Sequence, residues 1–279
     1  MTVRAIAAAI GITSLLASAV APVAYGSSTA AEGGKAEGWT WSSATHPAGS
    51  AAVPGGTSGA GVWLWNDVYY VPGVGHMSTL AEDRWETGAT GTGMIGKVSH
   101  STRPGPRELP DVGLIATGTA RLEPRIRVSN GWGDAAISDV AHSTVARGVE
   151  VCHSGASVPT LQYGGYRCGT LYRDCERSSS TYCVVHNVNG LVYGGDSGGA
   201  VWQYDGGGGV VLLGWVRGQL NAGDGGIAAD GTSRYMIFEP VWNLQNHSWT
   251  EDQTWTDWGY PTGVAENACF VTSNGCVRS

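Results

Sequence analysis

The stretch Gly194–Ala200 reads GGDSGGA, and it stands directly before the strand-like run Ala200–Tyr204. A serine flanked by glycines suits a nucleophile, because glycine permits a tight backbone that can turn main-chain N–H groups inward. Such N–H groups stabilise the oxyanion of a tetrahedral intermediate. In a chain with 44 glycines the same stretch also fits an accidental Gly-rich turn. The surrounding sequence has to decide between these two interpretations.

Short strand-like segments lie on both sides of this stretch, separated by Gly and Pro. They are Val62–Val71, Met94–Val98, Val112–Ala116, Arg125–Val128, Gly148–Cys152, Tyr182–Val188, Ala200–Tyr204, Val210–Arg217 and Tyr235–Phe238. Because they are closely spaced and no long helical periodicity interrupts them, they predict an all-β barrel or sandwich.

The overall composition is that of a globular protein. The chain has 279 residues, of which 42% are hydrophobic and 14% are charged, which is enough for one large or two small domains with a real core. The net charge of −7 gives no electrostatic reason to expect nucleic acid or an anionic membrane as a partner.

The N-terminus has the order of a secretory signal. Arg4 precedes the apolar run Ala5–Val20, and small residues follow it. We assign residues 1–26 to the signal, with cleavage between Ala19 and Gly26, and expect a secreted, extracellular protein that is not held at a membrane after cleavage. A transmembrane anchor is the alternative, but polar residues and a proline interrupt the run, which is short for a span. Residues 27–60 form a Gly/Ser/Pro-rich lead-in or short pro-segment.

The cysteines predict disulfide bonds. An even number in an exported chain is typical of a disulfide framework, whose connectivity the sequence does not give. The simplest pairing is sequential, and the six residues are Cys152, Cys168, Cys175, Cys183, Cys269 and Cys276. A metal site is the competing interpretation, but the chain has no CxxC pair and no histidine at ligand spacing. We therefore expect neither a metal nor a cofactor.

Residues 248–279 form a Trp-rich C-terminal extension that closes with two cysteines. The tryptophans from Trp242 onward lie among polar residues. An aromatic stripe of this kind can bind sugar or peptide, but such residues more often pack on the domain surface, which is the interpretation that we favour.

The serine stretch resembles the Gly-Asp-Ser-Gly-Gly motif of the chymotrypsin-like serine proteases, whose triad runs His, Asp, Ser along the chain. The resemblance makes Ser197 the nucleophile and the N–H groups of Gly195 and Ser197 the oxyanion hole. Asp111, in the segment PDVGLI, resembles the family's Asp before an apolar strand. His76, in VGHM, resembles the histidine of the family's Ala-Gly-His-Cys segment and lies 35 residues before Asp111.

The sequence offers two other histidines as candidates for the base. His100 lies only 11 residues before Asp111, which leaves little chain between their strands, and His46 lies in the Gly/Pro-rich lead-in. Each is therefore a weaker candidate than His76. The alternative interpretation of His76 is an ordinary solvent-exposed histidine with no catalytic role.

The similarity is greatest to the bacterial secreted branch of the streptogrisin and alpha-lytic protease type. Cys152–Gly155, followed by Cys168 and Gly169, resembles its Cys-Arg-Ser-Gly and Cys-Gly loop, and Phe238–Val241 resembles its closing Gln-Pro-Val strand. The resemblance implies two six-stranded antiparallel β-barrels with the active site between them, an N-terminal barrel over 61–125 and a C-terminal barrel over 126–247.

Three positions depart from the family's pattern. Met77 replaces the cysteine after the catalytic histidine, and no upstream cysteine exists to pair with it. His153 stands where the branch has an arginine that pairs with the Asp before the nucleophile, so we expect a pH-dependent His153–Asp196 pair. Arg217 stands where the family has the serine that supports the triad Asp. Three explanations are open: the alignment is out by one residue, the arginine reshapes the pocket, or it marks a degenerate site.

The resemblance implies a serine-type endopeptidase that acts on protein or peptide substrates, and we expect a monomer. Leu191, Val192 and Tyr193 precede the motif where pocket residues are expected, and since none is acidic we expect a preference for apolar side chains. The alternatives are a catalytically degenerate protease fold used for binding, and an unrelated β-rich carbohydrate-binding protein with a fortuitous motif.

Overall fold

The fold was analysed in a computed structural model, which describes residues 61–77, 85–87, 93–102, 106, 108–116, 124–128, 134–155, 157–187, 192–221 and 234–278. The predicted signal at 1–26, the lead-in at 27–60 and Leu191 lie outside these ranges. Over the ranges just given, no helix is both long enough and apolar enough to cross a membrane.

Strands dominate the described chain. They are β1 (Val62–Trp65), β2 (Val68–Gly73), β3 (Trp85–Thr87), β4 (Gly93–Ser101), β5 (Gly113–Ala116), β6 (Arg125–Arg127), β7 (Asp134–Val140), β8 (Glu150–Ser154), β9 (Tyr166–Leu171), β10 (Cys183–Asn187), β11 (Ala200–Tyr204), β12 (Val210–Asn221), β13 (Arg234–Pro240), β14 (Ser248–Trp249), β15 (Gly263–Val264), β16 (Cys269–Thr272) and β17 (Gly275–Val277). The helices are short: α1 (Val158–Gln162), α2 (Val241–Asn246) and 3-10 turns at Gly75–Met77, Glu251–Gln253 and Thr256–Trp258.

The second half of the chain forms a closed antiparallel barrel. Its strands follow the order β11-β8-β9-β10-β13-β12, and pairing of β11 with β12 closes the ring at six strands. Period-two alternation explains the barrel core: Cys183 and Val185 of β10 pack inward, whereas Val184 faces a separate small cluster. Trp202, Trp215 and Phe238 are fully buried inside, where each large apolar side chain contributes roughly 2–3 kcal/mol. The expected all-β, two-barrel class is confirmed.

The first sheet is completed by the C-terminal end of the chain. It has seven strands in the order β17-β16-β1-β2-β5-β4-β3. Strand β16 pairs antiparallel with β1, so that Val62 lies opposite Val271. The predicted extension over 248–279 therefore supplies two strands of this sheet.

The predicted strand Val62–Val71 is a hairpin. Asn66 and Asp67 have φ values of 48° and 61°, and β1 and β2 pair on either side of them. Two consecutive residues at positive φ match a two-residue type I′ turn, for which Asn and Asp are among the favoured residues. The apolar alternation predicted one continuous strand over this stretch, and the structure divides it into two strands at the Asn66–Asp67 turn.

The disulfides follow the simplest of the predicted pairings. Cys152 is bonded to Cys168, Cys175 to Cys183, and Cys269 to Cys276. The first bond joins neighbouring strands β8 and β9, and the third closes the β16–β17 hairpin. Glu150 approaches Cys152 and Cys168, but a disulfide offers no thiolate to a metal ion.

The C-terminal tryptophans mostly pack, as the sequence predicted. Trp242 and Trp249 are buried, and Trp255 stacks on Trp258 with ring centroids 4.5 Å apart. Trp258 is 38% exposed and lies beneath the Lys97 ammonium, 4.4 Å from the ring centroid. This arrangement covers apolar surface and requires no bound ligand.

Candidate active site

His76 and Asp111 form a two-point contact on the first sheet. His76 lies in the 3-10 turn that follows β2, and Asp111 lies two residues before β5, which pairs with β2. The His76 Nδ1 atom is 2.6 Å from Asp111 Oδ2, and the His76 backbone N–H donates to Asp111 Oδ1 over 2.8 Å. The sequence-predicted pair is therefore brought together, and the carboxylate holds both the ring and its backbone.

This contact fixes the chemistry that the imidazole can perform. An ionised carboxylate only accepts hydrogen bonds, so the proton of a neutral His76 ring lies on Nδ1. The other nitrogen, Nε2, is then left as the basic atom. The His76 side chain is 29% exposed and that of Asp111 is 6% exposed, so the ring is accessible from solvent and the carboxylate is shielded from water.

Gly75 allows the His76 turn to approach β5 closely. A Cβ atom at Gly75 would lie 2.7 Å from the Val112 carbonyl oxygen and 2.6 Å from Thr102 Oγ1. The Ser101 hydroxyl donates to the Gly75 carbonyl over 3.0 Å and anchors the turn from β4. A residue with a side chain would therefore not fit at position 75 without displacing these neighbours.

Ser197 lies in a double turn just before β11. Tyr193–Asp196 forms a turn closed by the Asp196 N–H donating to the Tyr193 carbonyl over 3.0 Å. Gly195 occupies its third position with φ of 102°, as a type II turn requires. The Ser197 side chain is partly exposed, and within the described part of the chain its backbone N–H donates to no protein acceptor.

Asp196 anchors the serine loop through its carboxylate, which is fully buried. Oδ1 accepts from the Ser157 N–H over 2.9 Å. Oδ2 accepts from the Thr160 hydroxyl over 2.8 Å and from the Tyr193 N–H over 3.0 Å. The three donors are thus the Ser157 N–H and the Thr160 hydroxyl at α1 and the Tyr193 N–H within the serine loop itself. The expected His153–Asp196 pair stays a prediction.

Two glycines make room for this anchor. A Cβ atom at Gly155 would collide with Asp196 Oδ1, and one at Gly199 would collide with the Ser154 carbonyl oxygen. Both contacts join the serine loop to the end of β8. Gly155 and Gly199 are therefore needed for the serine loop to pack this closely against the end of β8.

Strand β12 connects the serine loop to the His76–Asp111 pair. The Gly198 N–H donates to the Val216 carbonyl over 2.7 Å, and the Val216 N–H donates back to Gly199 over 2.8 Å. The next residue, Arg217, places Nε 3.5 Å from Asp111 Oδ2. Ser197, Asp111 and His76 are thus linked through three consecutive contacts at the junction of the two sheets.

The Ser197 hydroxyl and the His76 ring, both among the described residues, are not in hydrogen-bond contact in this structure. Nucleophile–base contacts are often long before a substrate binds and tighten in its complex. The structure therefore brings His76 and Asp111 into direct contact and places the Ser197 loop beside the strand that reaches this pair.

Glu239 is a site residue that the sequence analysis did not identify. It lies on β13 with no exposed surface, and Arg217 Nη1 is 3.3 Å from its Oε2. Burial raises its pKa to about 7, while the Asn243 hydrogen bond and the charge of Arg217 oppose that rise. The available signal was a carboxylate on a closing strand where the resembled family has Gln.

His100 is excluded as the base by its surroundings. It is fully buried, with Nδ1 2.9 Å from Ser99 Oγ and Nε2 2.9 Å from the Pro261 carbonyl oxygen. Burial lowers its pKa to about 4, against the Pro261 hydrogen bond. With Trp249 at a ring distance of 4.9 Å, His100 is a core histidine.

The residues before the motif have a cationic neighbour. Val192 is buried, and the Tyr193 ring centroid lies 5.0 Å from Cζ of Arg167, which also stacks 3.8 Å from the Tyr163 ring centroid. Cation–π contacts of this kind hold an aromatic ring in place. The expected preference for apolar substrate side chains stays a prediction.

Comparison with known proteins gave only structural similarities. No protein-family model and no curated protein matches the chain. Similar solved structures include a glutamic acid specific serine protease described as using a histidine triad in substrate binding, with 19% identity and a TM-score of 0.47 over 68% of this chain and 89% of that chain. Thermobifida fusca Protease A has 19% identity and a TM-score of 0.45 over 67% and 84% of the two chains. Nocardiopsis Protease has 18% identity and a TM-score of 0.44 over 68% and 92%.

Proposed function

We propose that this chain is a secreted serine endopeptidase that hydrolyses peptide bonds through an acyl-enzyme on Ser197. The observation that carries the proposal is the two-point contact between His76 and Asp111, with Nδ1 2.6 Å from Oδ2, beside the strand that holds the serine loop. An ordinary surface histidine is not expected to have a buried carboxylate bound to both its ring and its backbone N–H. This contact therefore supports a functional role for His76.

The chemistry follows the roles of these groups. The Ser197 hydroxyl attacks the substrate carbonyl while Nε2 of His76 takes its proton as general base. The same nitrogen then gives the proton to the leaving amine, and water repeats the cycle on the acyl-enzyme. Asp111 keeps the ring in the required tautomer and stabilises the imidazolium that forms in each step.

The oxyanion is assigned to main-chain donors. The N–H groups of Gly195 and Ser197 are the proposed pair, and the φ of 102° at Gly195 is compatible with the sharp turn that such a pair needs. Donors of this type act best where water is excluded and where they are fixed before the reaction.

Export and substrate class complete the proposal. The signal-like N-terminus and three disulfides fit an extracellular enzyme that meets protein or peptide substrates. Sequencing of the N-terminus of the exported protein checks the signal, with a new terminus expected between Ala19 and Gly26. An N-terminus at Met1 on a membrane-bound protein would contradict export with cleavage.

A degenerate protease fold used for binding is the second candidate. Arg217 favours it, because a guanidinium 3.5 Å from Asp111 Oδ2 competes with the imidazolium for the same carboxylate charge. The open Ser197–His76 contact also fits this alternative. The two candidates differ in whether the site turns over a substrate.

Hydrolysis of a peptide library by protein purified from culture medium separates them. Wild type is compared with Ser197→Ala and His76→Ala, and with the matched controls Ser273→Ala and His142→Ala, whose parent residues are exposed. We expect cleavage by wild type and both controls and none by the two site variants. Equal cleavage by Ser197→Ala would contradict the proposal, and no cleavage by any folded variant would favour the binding protein.

A further inference from the structure

We infer that Glu239 is a positioning residue for the His76–Asp111 pair and acts on it through Arg217. The inference rests on the proposed function, since that pair is the proposed base and its orienting carboxylate. In this inference Arg217 and Glu239 together set how strongly the His76 ring holds a proton.

Glu239 is held by hydrogen bonds from Asn243, from Arg217 and from the Asp111 backbone. The Asn243 side chain, from α2, donates to Oε1 over 2.6 Å, and Arg217 Nη1 donates to Oε2 over 3.3 Å. Asn243 also donates to the Thr181 carbonyl over 2.7 Å, which fixes its own orientation. Because both carboxylate oxygens have a donor, the buried side chain has one defined position toward Arg217.

Arg217 links Glu239 to Asp111, which lies just before β5 of the first sheet. The β12–β13 pairing shifts register between Val216 and Gly218, which places Arg217 at a β-bulge. Bulges re-aim side chains, and this one sends the guanidinium to Asp111 Oδ2 at 3.5 Å and to the Pro106 carbonyl at 3.4 Å. The Arg217 side chain is only 7% exposed, so solvent screens these contacts weakly.

The charge on Glu239 determines how much of the negative charge of Asp111 is left uncompensated by Arg217 and can stabilise the His76 imidazolium. With Glu239 ionised, two carboxylates share one guanidinium, and Asp111 keeps negative charge that favours a proton on His76. With Glu239 neutral, Arg217 compensates Asp111 alone, and the imidazolium loses part of its stabilisation. An ionised Glu239 therefore strengthens His76 as a base.

The charged and titratable groups around Glu239 place this change near neutrality. Arg217 faces it from β12, Asp111 faces it from the first sheet with His76 beyond, and α2 contributes the neutral Asn243. Burial is the largest influence and raises the pKa of Glu239 to about 7. The Asn243 hydrogen bond, the charge of Arg217 and a hydrogen bond from the Asp111 backbone oppose this rise, and the charge of Asp111 adds to it. The charge of Glu239 therefore changes in the same pH range in which a histidine acts as a base.

Glu239→Gln tests the inference, because it removes the charge and keeps the shape. The matched control is Glu108→Gln, the same change at an exposed residue. The full secreted chain is used to measure two pH profiles: the rate of labelling by a fluorophosphonate probe, and the NMR signals of the His76 ring in protein labelled with ¹⁵N-histidine. His76→Gln assigns those signals.

We expect Glu239→Gln to move the midpoint of the His76 ring signals to lower pH by about half a unit and to lower the plateau labelling rate by about threefold. Glu108→Gln should superimpose on wild type. A rate that falls equally at all pH values with an unmoved His76 midpoint would overturn the inference and leave Glu239 a structural residue. A shifted midpoint in a protein that never reacts with the probe would support the positioning role and contradict the proposed function.

Discussion

Arg217 lies between two buried carboxylates, with Nε 3.5 Å from Asp111 Oδ2 and Nη1 3.3 Å from Glu239 Oε2. Asp111 lies just before β5 of the first sheet and Glu239 lies on β13 of the second, so one side chain bridges the two sheets at the candidate site. The Glu239 side chain has no exposed surface and the other two are at most 7% exposed. Such a cluster is stabilising only while its charges compensate one another.

Removal of Arg217 alone is expected to be costly. Arg217→Ser leaves Asp111 and Glu239 buried without a cation, and we expect it to lower the free energy of unfolding by roughly 3 kcal/mol. Arg217→Ser combined with Glu239→Gln should recover much of that loss. Urea unfolding at pH 8 measures both, with Arg278→Ser at an exposed position as the control. Equal losses in the single and double variants would show that the two charges are not coupled.

Glu239 should make stability fall as pH rises. Its pKa in the folded protein is about 7, against an ordinary value of 4.5. The folded state therefore holds this proton more tightly, and the resulting stabilisation is complete below pH 4.5 and is lost as pH rises through 7. Relative to Glu239→Gln, wild type should lose about 3 kcal/mol of unfolding free energy between pH 4.5 and 8. A pH-independent difference between the two proteins would contradict the buried, neutral carboxyl.

His100 should act in the opposite direction. Its pKa is about 4 in the folded protein against 6.5 ordinarily, so its contribution to stability is complete above pH 6.5 and is lost as pH falls through 4. His100→Phe keeps a ring among the aromatic side chains and removes the titration. We expect the unfolding free energy of wild type to drop by about 3 kcal/mol more than that of the variant between pH 7 and 4.

The control for that comparison is His142→Phe at an exposed histidine. Its acid profile should follow that of wild type. If His100→Phe also follows wild type over the same pH range, then His100 is protonated in the folded protein and the interpretation as a neutral core residue fails.

Gly155 should tolerate no side chain. In Gly155→Ala the new methyl group collides with Asp196 Oδ1, so the carboxylate that anchors the serine loop must move from its three donors. We expect a loss of roughly 2–3 kcal/mol of stability, measured by thermal unfolding. Gly194→Ala is the matched control, because a Cβ at Gly194 meets no atom within 4 Å. Equal melting temperatures for the two variants would exclude the proposed close contact.

The sequence predicted those features whose causes are local. The alternation of apolar residues indicated the strands, and the motif around Ser197 indicated a turn rich in positive-φ glycine, as Gly195 and Gly198 adopt. The 35-residue spacing between His76 and Asp111 also led to a pair in direct contact. The strands and the glycine turn are determined by neighbouring residues, whereas the pairing of His76 with Asp111 was inferred from the order and spacing of the resembled family.

Features that depend on distant packing were not predictable in this way. Strand β16 pairs with β1 across more than two hundred residues of chain, and no local pattern specifies that register. Arg217 was recognised as unusual, but its partner Glu239 lies 22 residues away and is reached only because of a β-bulge. The donors to Asp196 depend on distant packing in the same way, since Ser157 and Thr160 lie 39 and 36 residues away from it along the chain.

Covalent labelling of the folded, secreted protein with a fluorophosphonate probe, followed by peptide mass mapping, tests the central claim most directly. The account predicts one adduct, on Ser197, whose formation is abolished in His76→Ala and unchanged in His142→Ala. An adduct on a different serine that persists in Ser197→Ala, or no adduct on protein shown to be folded, would contradict a working Ser197–His76 site.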